Sequence, residues 1–148
     1  MTSMFQMGKY QVLSLIGTGG QSAVYKARNS DDDSLVAIKI LDPGDSKDKN
    51  IKRETRIYDV IKAKGISGTT PLLDKDTENK IPKYYVMPIR PHNLAYIVRE
   101  LDFETQIKYS MTLLETLSTL HKNDIIHRDL NPNNILITEE GNPEITDF

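Results

Sequence analysis

The chain contains no cysteine. Disulfide frameworks, zinc–thiolate sites, iron–sulfur clusters and thiol nucleophiles are therefore excluded. Histidine is scarce: His92, His121 and His127 are the whole supply, which argues against a histidine-based metal cage. Long apolar runs are missing, so no segment reads as a bilayer span and no membrane partner is expected. The opening MTSMFQMGKY lacks the apolar stretch of a signal peptide, and the expected address is the cytoplasm. An excess of charge of one sign is missing as well. Nineteen Lys and Arg face 21 Asp and Glu, for a net charge of −2, so nucleic acid is not an expected partner.

What is present fits one ordinary domain: 148 residues, 38% of them apolar and 27% charged, enough for a core. Tyr10 to Ile16 alternates apolar and polar residues, and Ala23 to Ala27 reads as a second strand after the cluster Gly17-Thr18-Gly19-Gly20. Leu35 to Leu41 is a third strand. A helix is expected from Ile51 to Lys64, closed by Gly65. Strands follow at Pro71–Asp74 and Lys83–Met87, and the Pro88–Pro91 stretch is a stiff link that can continue neither a central strand nor a helix. Beyond it the character becomes helical. Asn93–Glu100 predicts a short helix and Phe103–Lys122 a long one. In the long helix Phe103, Ile107, Met111, Leu114, Leu117 and His121 recur every three or four residues. Short strands are expected at Ile135–Ile137 and Glu144–Thr146.

Three features carry chemistry. The glycine cluster lies between two strands, where a backbone without Cβ atoms can approach phosphates closely or can simply turn a hairpin. A strand–strand setting argues against a dinucleotide fold and against a Walker A loop. Lys39 is the only charge inside Val36–Leu41, and alternation would allow it to face solvent. Glu54 bears on that choice. It shares a helical face with Ile51, Tyr58 and Ile61, so it points inward, and no cation stands three or four residues from it. An inward carboxylate needs a cation from elsewhere, and Lys39 is the economical source. The densest segment is His127-Arg128-Asp129-Leu130-Asn131-Pro132-Asn133-Asn134. Asp129 can accept a proton, while Asn134 and Asp147 offer oxygen ligands of the kind Mg²⁺ prefers.

In order and spacing these motifs resemble the N-terminal part of a eukaryotic-type protein kinase domain, and the resemblance covers nearly the whole chain. Ile16 to Val24 resembles its glycine-rich loop, Val36-Ala37-Ile38-Lys39 matches its VAIK motif, and Glu54 falls near its helix-C glutamate. His127 to Asn134 resembles HRDLKPEN, and Asp147-Phe148 resembles the start of DFG. The resemblance implies an α+β fold: an N-lobe of five antiparallel strands plus one helix over residues 8–88, a hinge at 89–91, and the start of a mainly helical C-lobe over 92–148. It implies ATP and Mg²⁺ as cofactors and a protein as substrate. Gly17 and Gly19 would cover the phosphates, with Ile16, Thr18 and Gly20 of the same loop also at the nucleotide, and Lys39, braced by Glu54, would hold two of the phosphates. Val24, Ala37 and Leu136 would enclose the adenine. Met87 would be the gatekeeper, and Pro88, Ile89 and Arg90 the hinge whose backbone meets the purine. Asp129 would be the base, Asn134 and Asp147 the metal ligands, and His127 a packing residue.

The chain departs from the family pattern in four ways. Ser22 replaces the third loop glycine, and the Lys39–Glu54 interval is short. Asn131 stands where the family's catalytic-loop lysine would lend charge to the transferred group. The chain stops at Phe148, so a fragment of a longer kinase is expected, lacking the helices that in the family pack on the long one and leaving Phe103, Met111, Leu114 and Leu117 without part of their cover. Pro132 favours Ser/Thr acceptors. A non-catalytic nucleotide-binding or interaction module is the alternative. Arg128 argues against a small-molecule kinase of the aminoglycoside type.

Overall fold

The computed structural model describes residues 3–19, 22–42 and 47–148. The chain divides into two compact units, Met1–Thr55 with Pro71–Ile89, and Arg56–Thr70 with Arg90–Phe148.

The first unit is built on a six-stranded antiparallel sheet. Its strands are β1 (Phe5–Met7), β2 (Tyr10–Gly19), β3 (Ser22–Asn29), β4 (Leu35–Leu41), β5 (Asp74–Lys75) and β6 (Tyr84–Pro88), in the order β1-β2-β3-β4-β6-β5. The sheet thus has one strand more than the five expected. The addition is β1, three residues paired with Tyr10–Val12 at an edge, too short to carry a periodic signal. The strand expected at Pro71–Asp74 forms only at Asp74–Lys75. Pro88 is the last residue of β6, opposite Val36, so the proline ends a central strand rather than interrupting it.

Period-two alternation separates the two faces of the sheet. Tyr10, Val12, Ala27, Val36, Ile38 and Val86 form a buried cluster on one face, flanked by Met7, Tyr25 and Tyr84. The register places Gly17 opposite Val24, Val24 opposite Lys39, and Lys39 opposite Tyr85, with Ala37 opposite Met87 in the neighbouring row. Directly opposed residues share a face. Gly17, Val24, Ala37, Lys39 and Met87 are therefore all on the side away from that cluster.

Helix α1 (Asp48–Lys64) begins three residues earlier than expected, with Asp48 in its first turn and Lys62 and Lys64 in its last, each favourable to the helix dipole. Gly65 follows at φ +61°, the left-handed conformation that commonly closes helices. The inward face read from the sequence is buried: Ile51, Glu54, Tyr58 and Ile61 are all under 9% exposed. The first half of the helix belongs to the first unit and the second half to the other.

The second unit holds α2 (Leu94–Ile97), continued by a 3-10 turn at Val98–Glu100, and α3 (Phe103–Lys122). A small sheet joins β7 (His92–Asn93), β8 (Ile135–Ile137) and β9 (Pro143–Ile145) in that order. Asp102 caps α3 by accepting from Thr105 N–H at 2.7 Å. The core of the unit is Leu94, Tyr109, Ile135 and Ile137, with Ile97, Leu101 and Leu113 against it.

The face that α3 buries is not its periodic apolar stripe, of which Phe103, Met111, Leu114 and Leu117 were expected to lack part of their cover. Tyr109, Thr116 and Leu120 are buried, whereas Phe103, Ile107, Met111 and Leu114 are 78, 47, 59 and 66% exposed. The helix is apolar on two sides, and the sequence shows the stronger stripe without showing which stripe this unit covers. Among the described residues no helix is long and apolar enough to cross a membrane.

Candidate active site

In the first unit Lys39 Nζ lies 2.7 Å from Glu54 Oε1, with side chains only 8 and 11% exposed. The pair arises because alternation along β4 sends Lys39 to the face opposite Val36 and Ile38, while the Ile51–Glu54–Tyr58 spacing turns the carboxylate inward. Each ion alone would be costly to bury; together they form a charge-assisted hydrogen bond. The Lys39 ammonium stands 6.0 Å from the centre of the Tyr85 ring, a cation–π distance. Ile16, Gly17 and Thr18 are exposed at the end of β2, and a Cβ built on Gly17 would meet nothing within 4 Å. Packing among the described residues therefore does not demand glycine at position 17. Gly19 ends β2, while Gly20 lies outside the described residues. Val24 and Pro88 are half-buried, and Ala37 and Met87 are buried.

In the second unit the segment after α3 folds around His127. His127 is buried, with its ring centre 5.1 Å from that of Phe148, whose ring also meets Tyr58 edge-on at 5.7 Å. Asp129 N–H donates to His127 Nδ1 at 3.3 Å. Nδ1 is therefore the acceptor, and Nε2–H is left to donate to the Thr146 carbonyl at 2.6 Å. Thr146 N–H in turn donates to the Asn134 carbonyl, and Asn134 Nδ2 donates to the Asp129 carbonyl at 2.8 Å and to Asp129 Oδ2 at 3.2 Å. A closed ring of hydrogen bonds thus gathers Asp129, Asn134 and the residue before Asp147. The sequence showed the residues but not the hub, because His127 looked like a packing residue.

The backbone is strained in the same place. Arg128 and Asp147 hold φ of +73° and +62°, left-handed values that non-glycine residues rarely adopt. Both Asp129 and Asp147 are exposed, as carboxylates that meet a ligand must be.

Asn131, read as a catalytic-loop position, also makes two hydrogen bonds within the loop. Its Nδ2 donates to the Asp129 carbonyl at 2.9 Å, and its Oδ1 accepts from Asn133 N–H at 3.0 Å, capping the 3-10 turn Pro132–Asn134. The carboxamide shapes the loop and brings no charge. Arg90 makes a bidentate pair with Glu144, both bonds 2.8 Å. Its side chain is thereby committed within the second unit, leaving its backbone for any hinge role. Leu136 is half-buried, on the face of β8 opposite Ile135 and Ile137.

The donor set fits Mg²⁺. With Nδ2 bound to Asp129, Asn134 turns its oxygen away as the end that can meet a cation, and Asp147 adds a carboxylate. No group of three or more His, Cys, Asp or Glu able to hold a metal occurs among the described residues. One amide and one carboxylate suit an ion that keeps waters and shares substrate phosphates rather than one held in a protein cage. A cavity of about 630 Å³ in the second unit is lined by Gly68, Arg90, Glu115, Thr116, Thr138 and Glu144 among others, and by none of Asp129, Asn134 and Asp147. It is not the pocket of this loop.

A curled antiparallel sheet with an inward lysine–glutamate pair, together with an Asp/Asn loop after a long helix, defines a protein-kinase type of domain. The model for the protein kinase domain matches residues 10–148, and the chain belongs to that family. It is 35% identical over 145 residues to a probable serine/threonine-protein kinase of Clostridium perfringens, covering 95% of this chain and 21% of that protein. It is 33% identical over 153 residues to CBL-interacting serine/threonine-protein kinase 19 of Arabidopsis thaliana, covering 96% and 30%. Human cyclin-dependent kinase-like 2 is 29% identical over 146 residues, covering 96% and 29%. The chain thus spans less than a third of the length of these relatives.

Proposed function

We propose that the protein transfers the γ-phosphoryl group of ATP to serine or threonine hydroxyls of cytoplasmic protein substrates, with Mg²⁺. The observation that carries this reading is the buried Lys39–Glu54 contact of 2.7 Å. An ammonium fixed by a carboxylate on a face that also bears Gly17, Val24 and Ala37 is poised to neutralise phosphate oxygens beside an apolar surface for a base. Asn134 and Asp147 would hold Mg²⁺, which supplies charge neutralisation at the phosphates when bound. Asp129 is held through its backbone N–H by His127 and through Oδ2 by Asn134, leaving carboxylate capacity to orient and deprotonate an acceptor hydroxyl. The three named relatives carry kinase names, two of them serine/threonine kinase names, which supports the acceptor class.

A second reading, nucleotide binding without transfer, is favoured by one observation. The Asn131 carboxamide is engaged at both ends and lends no positive charge to a transferred phosphoryl group. The deciding experiment incubates the affinity-purified native protein with γ-labelled ATP, Mg²⁺ and casein. Label on casein Ser or Thr that disappears in Asp129→Ala supports transfer. Saturable ATP binding with no label above the Asp129→Ala background overturns transfer in favour of the second reading.

A further inference from the structure

Glu54 meets Lys39 only while α1 holds one rotation about its axis, and Tyr85, also from the sheet, reaches the helix beside Glu54. Tyr85 is completely buried, and the register sets it directly opposite Lys39 on the same face. Its ring lies under the Lys39 ammonium at 6.0 Å. Its hydroxyl reaches past the lysine to α1, 2.6 Å from Thr55 Oγ1 and 3.1 Å from the Ile51 carbonyl. Thr55 Oγ1 itself lies 2.7 Å from the same carbonyl. Two hydroxyl protons thus serve three short contacts, closing a triangle between β6 and the helical turn that carries Glu54. Thr55 is the residue after Glu54, and Ile51 stands one turn before it, so the triangle brackets the carboxylate. A phenylalanine ring would fill the same space without holding the turn.

We propose that the Tyr85 hydroxyl is a positioning group for the Lys39–Glu54 pair, locking α1 through Ile51 and Thr55 while its ring supports the lysine. Its consequence for phosphate binding rests on the function proposed above; the positioning itself does not. Loss of the hydroxyl frees the turn to rotate, and Lys39 spends more time released from Glu54.

The test reads Lys39 directly. The folded chain is treated with an N-hydroxysuccinimide ester, and acylation of Lys39 is followed by peptide mass spectrometry against exposed Lys49 and Lys52. Glu54→Gln sets the rate for a lysine without its carboxylate. Tyr85→Phe should raise Lys39 acylation about 3- to 10-fold, the worth of one hydrogen bond. Thr55→Val should act in the same direction and keeps the tyrosine in place should Tyr85→Phe fold poorly. In the Glu54→Gln background, adding Tyr85→Phe or Thr55→Val should change the rate less than about 2-fold. Equal effects in both backgrounds would mean general loosening and would overturn the proposal, as would no rise from either variant. Protection of wild-type Lys39 by MgATP is scored separately. Its absence alongside coupled Tyr85 and Glu54 effects would reject the nucleotide reading and keep the positioning role. Its presence with uncoupled effects would do the reverse.

Discussion

Removing Glu54 should be among the costliest single changes available in the first unit. The Lys39 and Glu54 side chains are about nine-tenths buried, with nitrogen and oxygen 2.7 Å apart. At an effective dielectric near 20, unit charges about 4 Å apart attract by roughly 4 kcal/mol, against a desolvation cost of similar size. The pair as a whole therefore adds little to stability. Breaking it is another matter, because this contact no longer offsets the desolvation of the remaining ion. Glu54→Leu should cost about 3–5 kcal/mol, and Lys39→Met a similar amount. The double variant Lys39→Met/Glu54→Leu should fall within about 1 kcal/mol of wild type, since apolar side chains of similar size remove both ions at once. Urea unfolding of the four proteins gives the coupling energy. A coupling of about 3 kcal/mol or more is expected. Single-variant costs under about 1 kcal/mol with no coupling would describe a solvent-exposed pair and would refute the reasoning.

Other expectations follow from the same geometry. Asp129→Ala should lower kcat about 10²- to 10⁴-fold in the native protein with ATP affinity nearly unchanged, whereas Asn131→Lys, adding the cation its amide lacks, should raise kcat; steady-state kinetics checks both. Asp76 is buried, and burial alone would raise its pKa; hydrogen bonds from Lys83 N–H, the Asn79 side chain and Glu78 N–H outweigh that and hold it below the ordinary 3.8. A lowered folded value means its stabilisation is whole above the unfolded pKa and is lost as pH falls through the folded one. The stability gap between wild type and Asp76→Asn, about 1.5–3 kcal/mol at pH 7, should therefore shrink as pH drops below about 4, as urea titrations will show. Gly68 holds φ +80°, and a Cβ there would collide with Thr116 Oγ1. Gly68→Ala should cost at least about 2 kcal/mol in thermal unfolding.

The legible parts of this protein were those where one residue stood out against a periodic background. Lys39 was the lone charge in an apolar strand, and Glu54 the lone acid on an apolar helical face; their meeting could be inferred because each needed the other. The long helix was legible because its apolar spacing is regular. Its buried face was not, because α3 carries one apolar stripe through Phe103, Ile107, Met111 and Leu114 and another through Tyr109, Leu113 and Leu120. Periodicity finds stripes but does not say which of two meets the core. The two- and three-residue strands β1, β5 and β7 are too short to carry a periodic signal, and β7 exists through pairing with β8, far along the chain. The same holds for the site. Asp129, Asn134 and Asp147 were readable as donors, but the His127 hub and the Tyr85 clamp depend on which backbone carbonyls the fold brings within reach. Asn131 was read for the charge it lacks; its work as a turn cap follows from ordinary Asn chemistry at Asn131-Pro132.

The central claim is that Lys39, fixed by Glu54, holds a nucleotide phosphate. Calorimetric titration of MgATP into the folded chain and into folded Lys39→Met tests it most directly. The account predicts saturable one-to-one binding to wild type, weakened about 10-fold or more in Lys39→Met, as expected for loss of a charge-assisted contact. Absence of binding to well-folded wild type, or equal affinity in both proteins, would contradict it.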